Sequence, residues 1–184
     1  MKKICGIDEA GRGPLAGPLV MAGVILTEQI DGLADSKQIT KKRREDLFEK
    51  ISKSSIWHIV IIDAQKIDDD GISSALIHGL KEIMNSLSAT RYIFDGNTTF
   101  GISGLECEVK ADSKIAQVSA ASILAKVTRD KIMVEAAGKY PHYGFNKHKG
   151  YGTKEHVEAI VKYGYSPIHR RSFKIKSLVQ PTLF

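Results

Sequence analysis

The chain has few cysteines and no long hydrophobic segment. Its 184 residues include only two cysteines, Cys5 and Cys107, too few for the disulfide framework of a small secreted protein. No stretch approaches the ~18 consecutive apolar residues of a membrane span, and the two N-terminal lysines do not introduce the apolar run of a secretory signal. We therefore expect a cytoplasmic protein in which both cysteines are small buried hydrophobic side chains.

The chain also lacks internal repeats, low-complexity tracts and an obvious linker. Its length suits one domain, and 42% hydrophobic residues suffice for a core. The net charge of +6 is concentrated near the C-terminus, where residues 141–176 contain eight Lys or Arg and two Glu. Such a segment is typical of a phosphate-backbone binder, although a solvated basic surface has the same composition. We divide the chain into a catalytic domain over 1–140 and a basic extension over 141–184 packed on it.

Hydrophobic periodicity predicts an α/β protein. Apolar runs predict strands over 3–8, 18–27, 55–62 and 91–95, and the alternating sequence L-E-C-E-V-K predicts a half-exposed strand over 105–110. Helical spacing predicts helices over 40–53, 72–87, 113–137 and 153–163, and a further short helix in the basic C-terminal segment is compatible with the pattern. This order indicates a mixed five-stranded sheet flanked by helices, with a C-terminal helical extension.

Two adjacent carboxylates, Asp8 and Glu9, follow a short apolar run and precede a glycine-rich turn. Acid groups at the end of a buried strand are costly unless their charge is compensated, and a hard divalent cation is a natural compensator. Successive side chains on a regular strand point to opposite faces. Both carboxylates can therefore reach one site only if the strand bends or ends there, which Gly11 and Gly13 favour. The alternative is a chance exposed pair.

Two further carboxylates occupy comparable positions. Asp95 ends the apolar run Y-I-F-D before a glycine. Sites in α/β sheets gather at the carboxyl edge of the strands, so Asp8 and Asp95 meet if their strands are neighbours. The alternative for Asp95 is the start of an Asp-Gly turn. Asp112, in K-A-D-S-K, is either the last carboxylate of this cluster or the N-cap of the helix predicted from Ser113.

Two glycine-containing segments suggest ligand contacts. The segment G-R-G-P-L-A-G at 11–17 leads into a strand and does not match G-x-G-x-x-G, which argues against dinucleotide binding. Its amides can bind a sugar hydroxyl or a phosphate, unless it is only a tight hairpin turn. In H-K-G-Y-G-T-K-E-H at 148–156, Tyr151 can stack on a sugar or base. Three lysines can meet phosphates there: Lys147, Lys149 and Lys154. His148 and His156 lack the spacing and cysteines of a zinc site, and we interpret them as polar surface or phosphate contacts.

Five motifs in a fixed order carry a family resemblance. They are G-I-D-E-A-G-R-G, D-S-K at 35–37, F-D-G-N at 94–97, A-D-S-K followed by A-A-S-I-L-A-K-V-T-R-D at 120–130, and H-K-G-Y-G-T. The segment H-R-R-S-F, which ends at residue 173, fits the family's C-terminal signature. With these motifs the chain resembles bacterial ribonuclease HII, the type 2 ribonuclease H.

The resemblance implies a ribonuclease H-like fold and an endoribonuclease. Its expected substrates are RNA in RNA–DNA hybrids and single ribonucleotides embedded in duplex DNA, cut on the 5′ side to leave 5′-phosphate and 3′-hydroxyl ends. This activity implies a role in ribonucleotide removal during DNA repair and replication. We expect a monomer.

The resemblance also assigns residues. The positions matching Asp8, Glu9, Asp95 and Asp112 form the family's acidic site, which binds Mg²⁺ or Mn²⁺, with two ions expected. Those matching Gly11, Arg12 and Gly13 read the ribose 2′-hydroxyl, and that matching Tyr151 packs against the nucleotide at the RNA–DNA junction. We assign three further residues to substrate binding: Ser36, Lys37 and Lys149.

The last five residues, Q-P-T-L-F, resemble the peptide with which bacterial replication proteins dock on the sliding clamp. Gln180, Leu183 and Phe184 fit that peptide, whereas Pro181 replaces its usual leucine. The alternative is a frayed tail.

Two other function classes remain open on the sequence. A junction resolvase or integrase of the same fold has acidic strand ends but does not need the G-R-G turn or Tyr151. A non-catalytic nucleic-acid-binding module keeps the basic segment and tolerates loss of the carboxylates.

Overall fold

The computed structural model describes residues 3–33 and 39–175. Their five strands form one mixed sheet in the order β3-β2-β1-β4-β5. The strands are β1 (Ile4–Ala10), β2 (Leu19–Leu26), β3 (Ser55–Ile62), β4 (Arg91–Asp95) and β5 (Leu105–Glu108). Because β1 pairs antiparallel with β2 and parallel with β4, the central strand joins the two halves of the sheet. The predicted α/β class and mixed five-stranded sheet are confirmed.

The described residues form six α-helices. They are α1 (Lys41–Lys53), α2 (Ala64–Asp70), α3 (Ile72–Ser86), α4 (Ala116–Lys139), α5 (Phe145–His148) and α6 (Lys154–Tyr163). Alternate residues of β2 face opposite layers, as a strand requires. Met21 packs in the core formed with α2 and α3, whereas Val20 packs in the core formed with α1 and α4.

Helix α4 lies very close to β1. A Cβ at Gly6 would stand 2.2 Å from the backbone nitrogen of Val118, so only glycine lets the helix approach the strand this closely. This approach places the first two turns of α4, including Ser122, beside the carboxyl half of β1, where the acidic residues lie.

Several boundaries differ from the sequence prediction. β1 continues to Ala10, and Asp8 and Glu9 are both paired with β2, so the predicted strand end near residue 8 is wrong. Helix α2 was missed because it is short and mostly polar; Asp63 caps it by accepting a hydrogen bond from the Lys66 amide at 2.8 Å. Helix α4 begins three residues later than predicted, at Ala116.

The basic extension packs on the end of α4. Tyr143 and Phe145 share a buried cluster with Met133 of that helix, and His169 forms an isolated antiparallel bridge with Ala16. Residues 164–175 contain no helix, whereas the short helix α5 lies upstream of α6. Within the described residues no helix is both long and apolar enough to span a bilayer.

Candidate active site

Asp8 and Asp95 lie at the carboxyl ends of adjacent parallel strands. The last paired residues of β1 and β4 are Ile7 and Phe94, and each is followed directly by one of the two carboxylates. This pairing follows from the sheet topology, because parallel neighbours end at the same edge. The structure therefore brings together two acids that are 87 residues apart in the chain.

Asp8 is buried, with 8% of its surface exposed. Its Oδ1 accepts a hydrogen bond from the Glu9 amide at 2.8 Å, and the Ser122 hydroxyl of α4 also hydrogen-bonds the carboxylate. Burial, then the charge of Glu9 and that of Asp95, raises the pKa of Asp8 well above its usual range. The two hydrogen bonds orient the carboxylate without neutralising it.

Glu9 has one carboxylate oxygen without a partner. Its Oε2 is buried and accepts no hydrogen bond from the described residues, while Oε1 lies 3.9 Å from the Arg12 guanidinium. Burial and the charge of Asp95 raise the pKa of Glu9 to about 7, although Arg12 opposes that shift. A buried, unpaired acceptor is costly, which makes it a candidate ligand atom.

Asp95 and Asp112 are neighbours. The Ala111 amide donates to Asp95 Oδ1 at 3.3 Å, and burial together with the charge of Asp112 raises the pKa of Asp95. Asp112 is buried in the short 3₁₀ turn Ala111–Ser113. The N-cap interpretation of Asp112 is wrong, because α4 starts later and has Ile115 at its N-cap.

The donor chemistry of these four side chains fits a hard divalent cation. As they stand, no three Asp, Glu, His or Cys side chains among residues 3–33 and 39–175 are gathered closely enough to enclose an ion. The carboxylates nevertheless repel one another, and Glu9 keeps an unpartnered oxygen. Oxygen ligands and uncompensated negative charge are what Mg²⁺ and Mn²⁺ require.

A cavity of about 330 Å³ opens beside the carboxylates. It brings together six of the predicted site residues: Glu9, Gly11, Arg12, Gly13, Asp112 and Tyr151. Side chains that the sequence did not single out complete the lining: Arg44, Ser122, Ile123 and Lys126. Lys149 lines a neighbouring cavity between α1 and α4 instead. Two of the four predicted carboxylates, the turn and Tyr151 therefore share one surface, whereas Asp8 and Asp95 do not line this cavity.

The G-R-G turn has one buried and one open glycine. Gly11 has a φ of +97°, and a Cβ there would stand 2.1 Å from Arg129 Nε and 2.5 Å from the Pro18 carbonyl. A Cβ at Gly13 would meet nothing within 4 Å. Gly11 therefore shapes the turn, whereas Gly13 leaves backbone accessible from the cavity.

Arg129 holds this turn from inside the protein. It is 1% exposed, and its guanidinium donates to the carbonyls of Pro18 at 2.9 Å, Ala16 at 3.0 Å and Lys149 at 3.0 Å. It also lies 5.8 Å from the ring centre of Tyr151. One side chain thus ties the glycine turn to the Tyr151 segment.

Arg170, in the C-terminal extension, holds the G-R-G turn from inside the protein. It is also 1% exposed, and it donates to the carbonyls of Gly11 at 2.6 Å, Gly17 at 2.9 Å and Arg12 at 3.2 Å. Because the carbonyls point inward to Arg129 and Arg170, two positive charges lie beneath the turn. Sequence reasoning missed both roles. The available signal was their place in the motifs A-K-V-T-R-D and H-R-R-S-F.

Two of the four histidines in the basic segment are buried, whereas His142 is exposed and His148 is half-buried. His156 is fully buried and His169 is 3% exposed, so the interpretation of His156 as a surface or phosphate contact is wrong. Five residues with sequence-based assignments lie outside the described part of the chain: Ser36, Lys37, Gln180, Leu183 and Phe184.

The fold is similar to those of solved ribonuclease H structures. A structure of the PCNA:RNase HII complex from Archaeoglobus fulgidus matches with a TM-score of 0.81 and 28% identity over 98% of both chains. A structure of Bst-RNase HIII in complex with Mn²⁺ shares the fold, with a TM-score of 0.70 and 17% identity over 96% of this chain and 68% of that one. The fold and its acidic strand ends define an α/β protein of the ribonuclease H-like class.

The family follows from the sequence comparisons. The family model described as Ribonuclease HII matches residues 5–176. The curated "Ribonuclease HII" of Sulfurovum sp. is 58% identical over 183 residues, which cover 100% of this chain and 97% of that protein. This chain belongs to the ribonuclease HII family, and it is an endoribonuclease that hydrolyses phosphodiester bonds.

Proposed function

We propose that this enzyme cuts RNA in RNA–DNA hybrids and incises duplex DNA on the 5′ side of single embedded ribonucleotides. Membership of the family supports endoribonuclease activity on RNA–DNA hybrids. The products would carry 5′-phosphate and 3′-hydroxyl ends, and the activity would serve ribonucleotide removal in DNA repair and replication. The observation that supports the proposal is that Asp8 and Asp95 meet at one edge of the sheet, while Glu9 and Asp112 share a cavity with the open Gly13 backbone.

Four carboxylates would hold the divalent ions: Asp8, Glu9, Asp95 and Asp112. When bound, Mg²⁺ or Mn²⁺ supplies an activated water, neutralises charge on the phosphate and assists the leaving oxygen. The Ser122 hydroxyl orients Asp8, and the Ala111 amide orients Asp95. These hydrogen bonds orient the carboxylate oxygens before the substrate binds. Hydrogen bonds to metal ligands commonly set ligand orientation and metal affinity in this way.

The G-R-G turn would select the ribonucleotide. Gly11, Arg12 and Gly13 line the cavity, and their amides would bind the ribose 2′-hydroxyl, the group that distinguishes RNA from DNA. Arg170 holds the turn by the carbonyls of Gly11 and Arg12, and Arg129 holds the segment that follows it by the Ala16 carbonyl. A turn held in this way orders the recognition groups in advance, which reduces the entropy lost on binding.

Tyr151 and nearby cations would position the nucleic acid. The Tyr151 ring is 47% exposed although its backbone is anchored, so a nucleotide can pack against it. Lys126 lines the same cavity, and Lys149 lines the adjacent one. Together they suit a phosphate backbone that crosses both cavities.

The partners and setting remain proposals. Because a related structure contains RNase HII with PCNA, we propose that the tail with Gln180, Leu183 and Phe184 binds the sliding clamp. Truncation after Val179 should then abolish clamp pull-down and spare nuclease activity; retained pull-down would refute this. We further propose a monomer in the cytoplasm, consistent with the free thiols of Cys5 and Cys107.

The proposed specificity is tested with two matched duplexes. One contains a single ribonucleotide and the other is its all-DNA twin, and both are end-labelled so that the cut is mapped. The enzyme should cut only the first, on the 5′ side of the ribonucleotide. Cleavage of both duplexes would instead indicate another nuclease of this fold.

A further inference from the structure

His156 and His169 form a buried hydrogen-bonded pair between α6 and the C-terminal segment. Their Nε2 atoms are 3.0 Å apart. His156 also stacks on His148, with ring centres 4.5 Å apart, and both rings of the pair contact Phe145. The proposed reaction uses neither histidine, although burying two titratable rings in contact is costly.

The partners of this pair admit one arrangement of protons. His156 Nδ1 faces the Tyr151 carbonyl at 2.9 Å, so Nδ1 must carry a proton and Nε2 must accept. His169 Nδ1 accepts from the Ser166 amide at 2.8 Å, so its Nε2 must donate. The directed chain therefore runs from Ser166 through His169 and His156 to Tyr151, with both rings neutral.

The end of this chain is the backbone of the exposed tyrosine. The Tyr151 carbonyl also accepts from the Thr153 amide at 2.8 Å. The start of the chain is tied to the other recognition segment, because His169 bridges Ala16. The hydrogen-bond chain thus connects the backbone near Ala16, which follows the G-R-G turn, with Tyr151, the residue proposed to contact the substrate.

We propose that His156, oriented by His169, is a positioning residue that sets the place of Tyr151 against the ribonucleotide. This inference rests on the proposed function. His156 holds the Tyr151 carbonyl by direct donation, and His169 fixes the His156 tautomer and ring angle. Neither histidine contacts the reacting atoms.

Two substitutions separate positioning from general stability. In His156→Asn the side-chain amide can replace Nδ1 and donate to Tyr151 while the bond to His169 is lost. In His156→Gln the amide reaches the Nε2 position, keeping the bond to His169 and losing donation to Tyr151. Loss of one hydrogen bond corresponds to about three- to tenfold. We therefore expect KM for the single-ribonucleotide duplex to rise about three- to tenfold in His156→Gln and to stay within about twofold in His156→Asn.

A double-mutant cycle tests whether the effect passes through Tyr151. Tyr151→Ala should itself raise KM, and adding His156→Gln to it should change KM no further. A product of the two single effects would show that His156 acts elsewhere and would overturn the proposal. The proposal would also be overturned if KM rose equally in His156→Asn and His156→Gln and the rise followed the fall in their urea midpoints.

The His169 variants keep the test decisive if a His156 variant does not fold. His169→Gln keeps a donor at the Nε2 position and should retain KM, whereas His169→Leu should raise it. Tyr143→Phe is the matched control, since it removes the 2.9 Å bond to the Gly164 carbonyl in the same cluster and should leave KM unchanged. Failure of the wild type to cut the ribonucleotide duplex refutes the proposed function, whereas a cutting wild type with normal KM in both His156→Gln and His169→Leu refutes only this inference.

Discussion

Asp8 and Asp95 stand side by side, each one residue beyond the paired Ile7 and Phe94 on parallel strands. The negative charge of Asp95 contributes to the raised pKa values of both Asp8 and Glu9. Mutual repulsion of this kind destabilises the metal-free site and favours a bound cation. The geometry therefore predicts opposite effects on activity and on stability when a charge is removed.

Replacing either strand-end aspartate should nearly abolish turnover. For Asp8→Asn or Asp95→Asn we expect a loss of about 10³-fold in kcat, since a misplaced ion forfeits several kcal/mol of transition-state stabilisation. Binding of the ribonucleotide duplex should persist, and the metal-free variant should be as stable as the wild type or more so. Single-turnover cleavage, filter binding and urea unfolding measure the three quantities. Asp46→Asn, on the exposed face of α1, is the control, and full activity in both site variants would favour a binding module.

Alanine at the two turn glycines should have different effects, on stability at Gly11 and on activity at Gly13. Gly11→Ala places a Cβ against Arg129 and Pro18 at a φ of +97°, so we expect the free energy of unfolding to fall by about 1–3 kcal/mol. Gly13→Ala has open space around it and should unfold like the wild type. Its added methyl group projects from the turn proposed to meet the ribose, so kcat/KM for the ribonucleotide duplex should fall. Normal kcat/KM in Gly13→Ala would contradict that role.

The buried arginines should not tolerate lysine. Arg129→Lys retains the charge but offers one ammonium group where a guanidinium reaches three carbonyls. Leaving carbonyls of Pro18, Ala16 or Lys149 unpaired should lower the free energy of unfolding by about 2–4 kcal/mol. Equilibrium urea denaturation checks this, with the exposed Arg43→Lys as control. An unchanged urea midpoint would show that the turn does not need the three-way hydrogen bonding of the Arg129 guanidinium.

The histidine pair should make stability sensitive to acid. Burial, then the neighbouring His156, lowers the pKa of His169 from 6.5 to about 4. His148 and Arg171 also oppose its protonation. Because the unfolded state takes up this proton first, stability should fall as pH drops from about 6.5 to 4, by up to about 3 kcal/mol from this group. Urea midpoints of the wild type and His169→Gln should converge as pH falls; parallel curves would exclude this contribution. The comparison is needed because Glu9, whose pKa is raised to about 7, acts in the opposite direction.

Much of the fold and of the acidic site could be predicted from sequence, because both leave local signals. Apolar runs predicted four of the five strands and alternation predicted β5, and Thr40 indicated the start of α1 as its N-cap. The positions of Asp8 and Asp95 were predictable because each follows an apolar run and precedes a glycine-containing turn. The division at residue 140 stays a prediction, as do the individual roles of the site residues.

The missed features depend on contacts that are distant in sequence. Arg129 meets Pro18 from 111 residues away, and no local pattern shows that a helical arginine faces inward. His156 was misjudged because polar residue type suggests exposure, whereas its ring nitrogens are hydrogen-bonded to His169 and to the Tyr151 carbonyl. Asp112 was ambiguous because a cap and a site carboxylate have the same local sequence.

Metal dependence tests the central claim most directly. Cleavage of the single-ribonucleotide duplex is measured in Mg²⁺, after exhaustive chelation, and after Mg²⁺ or Mn²⁺ is restored. The carboxylate cluster predicts that cutting stops on chelation and returns with either ion. Undiminished cleavage by the fully chelated enzyme would contradict it.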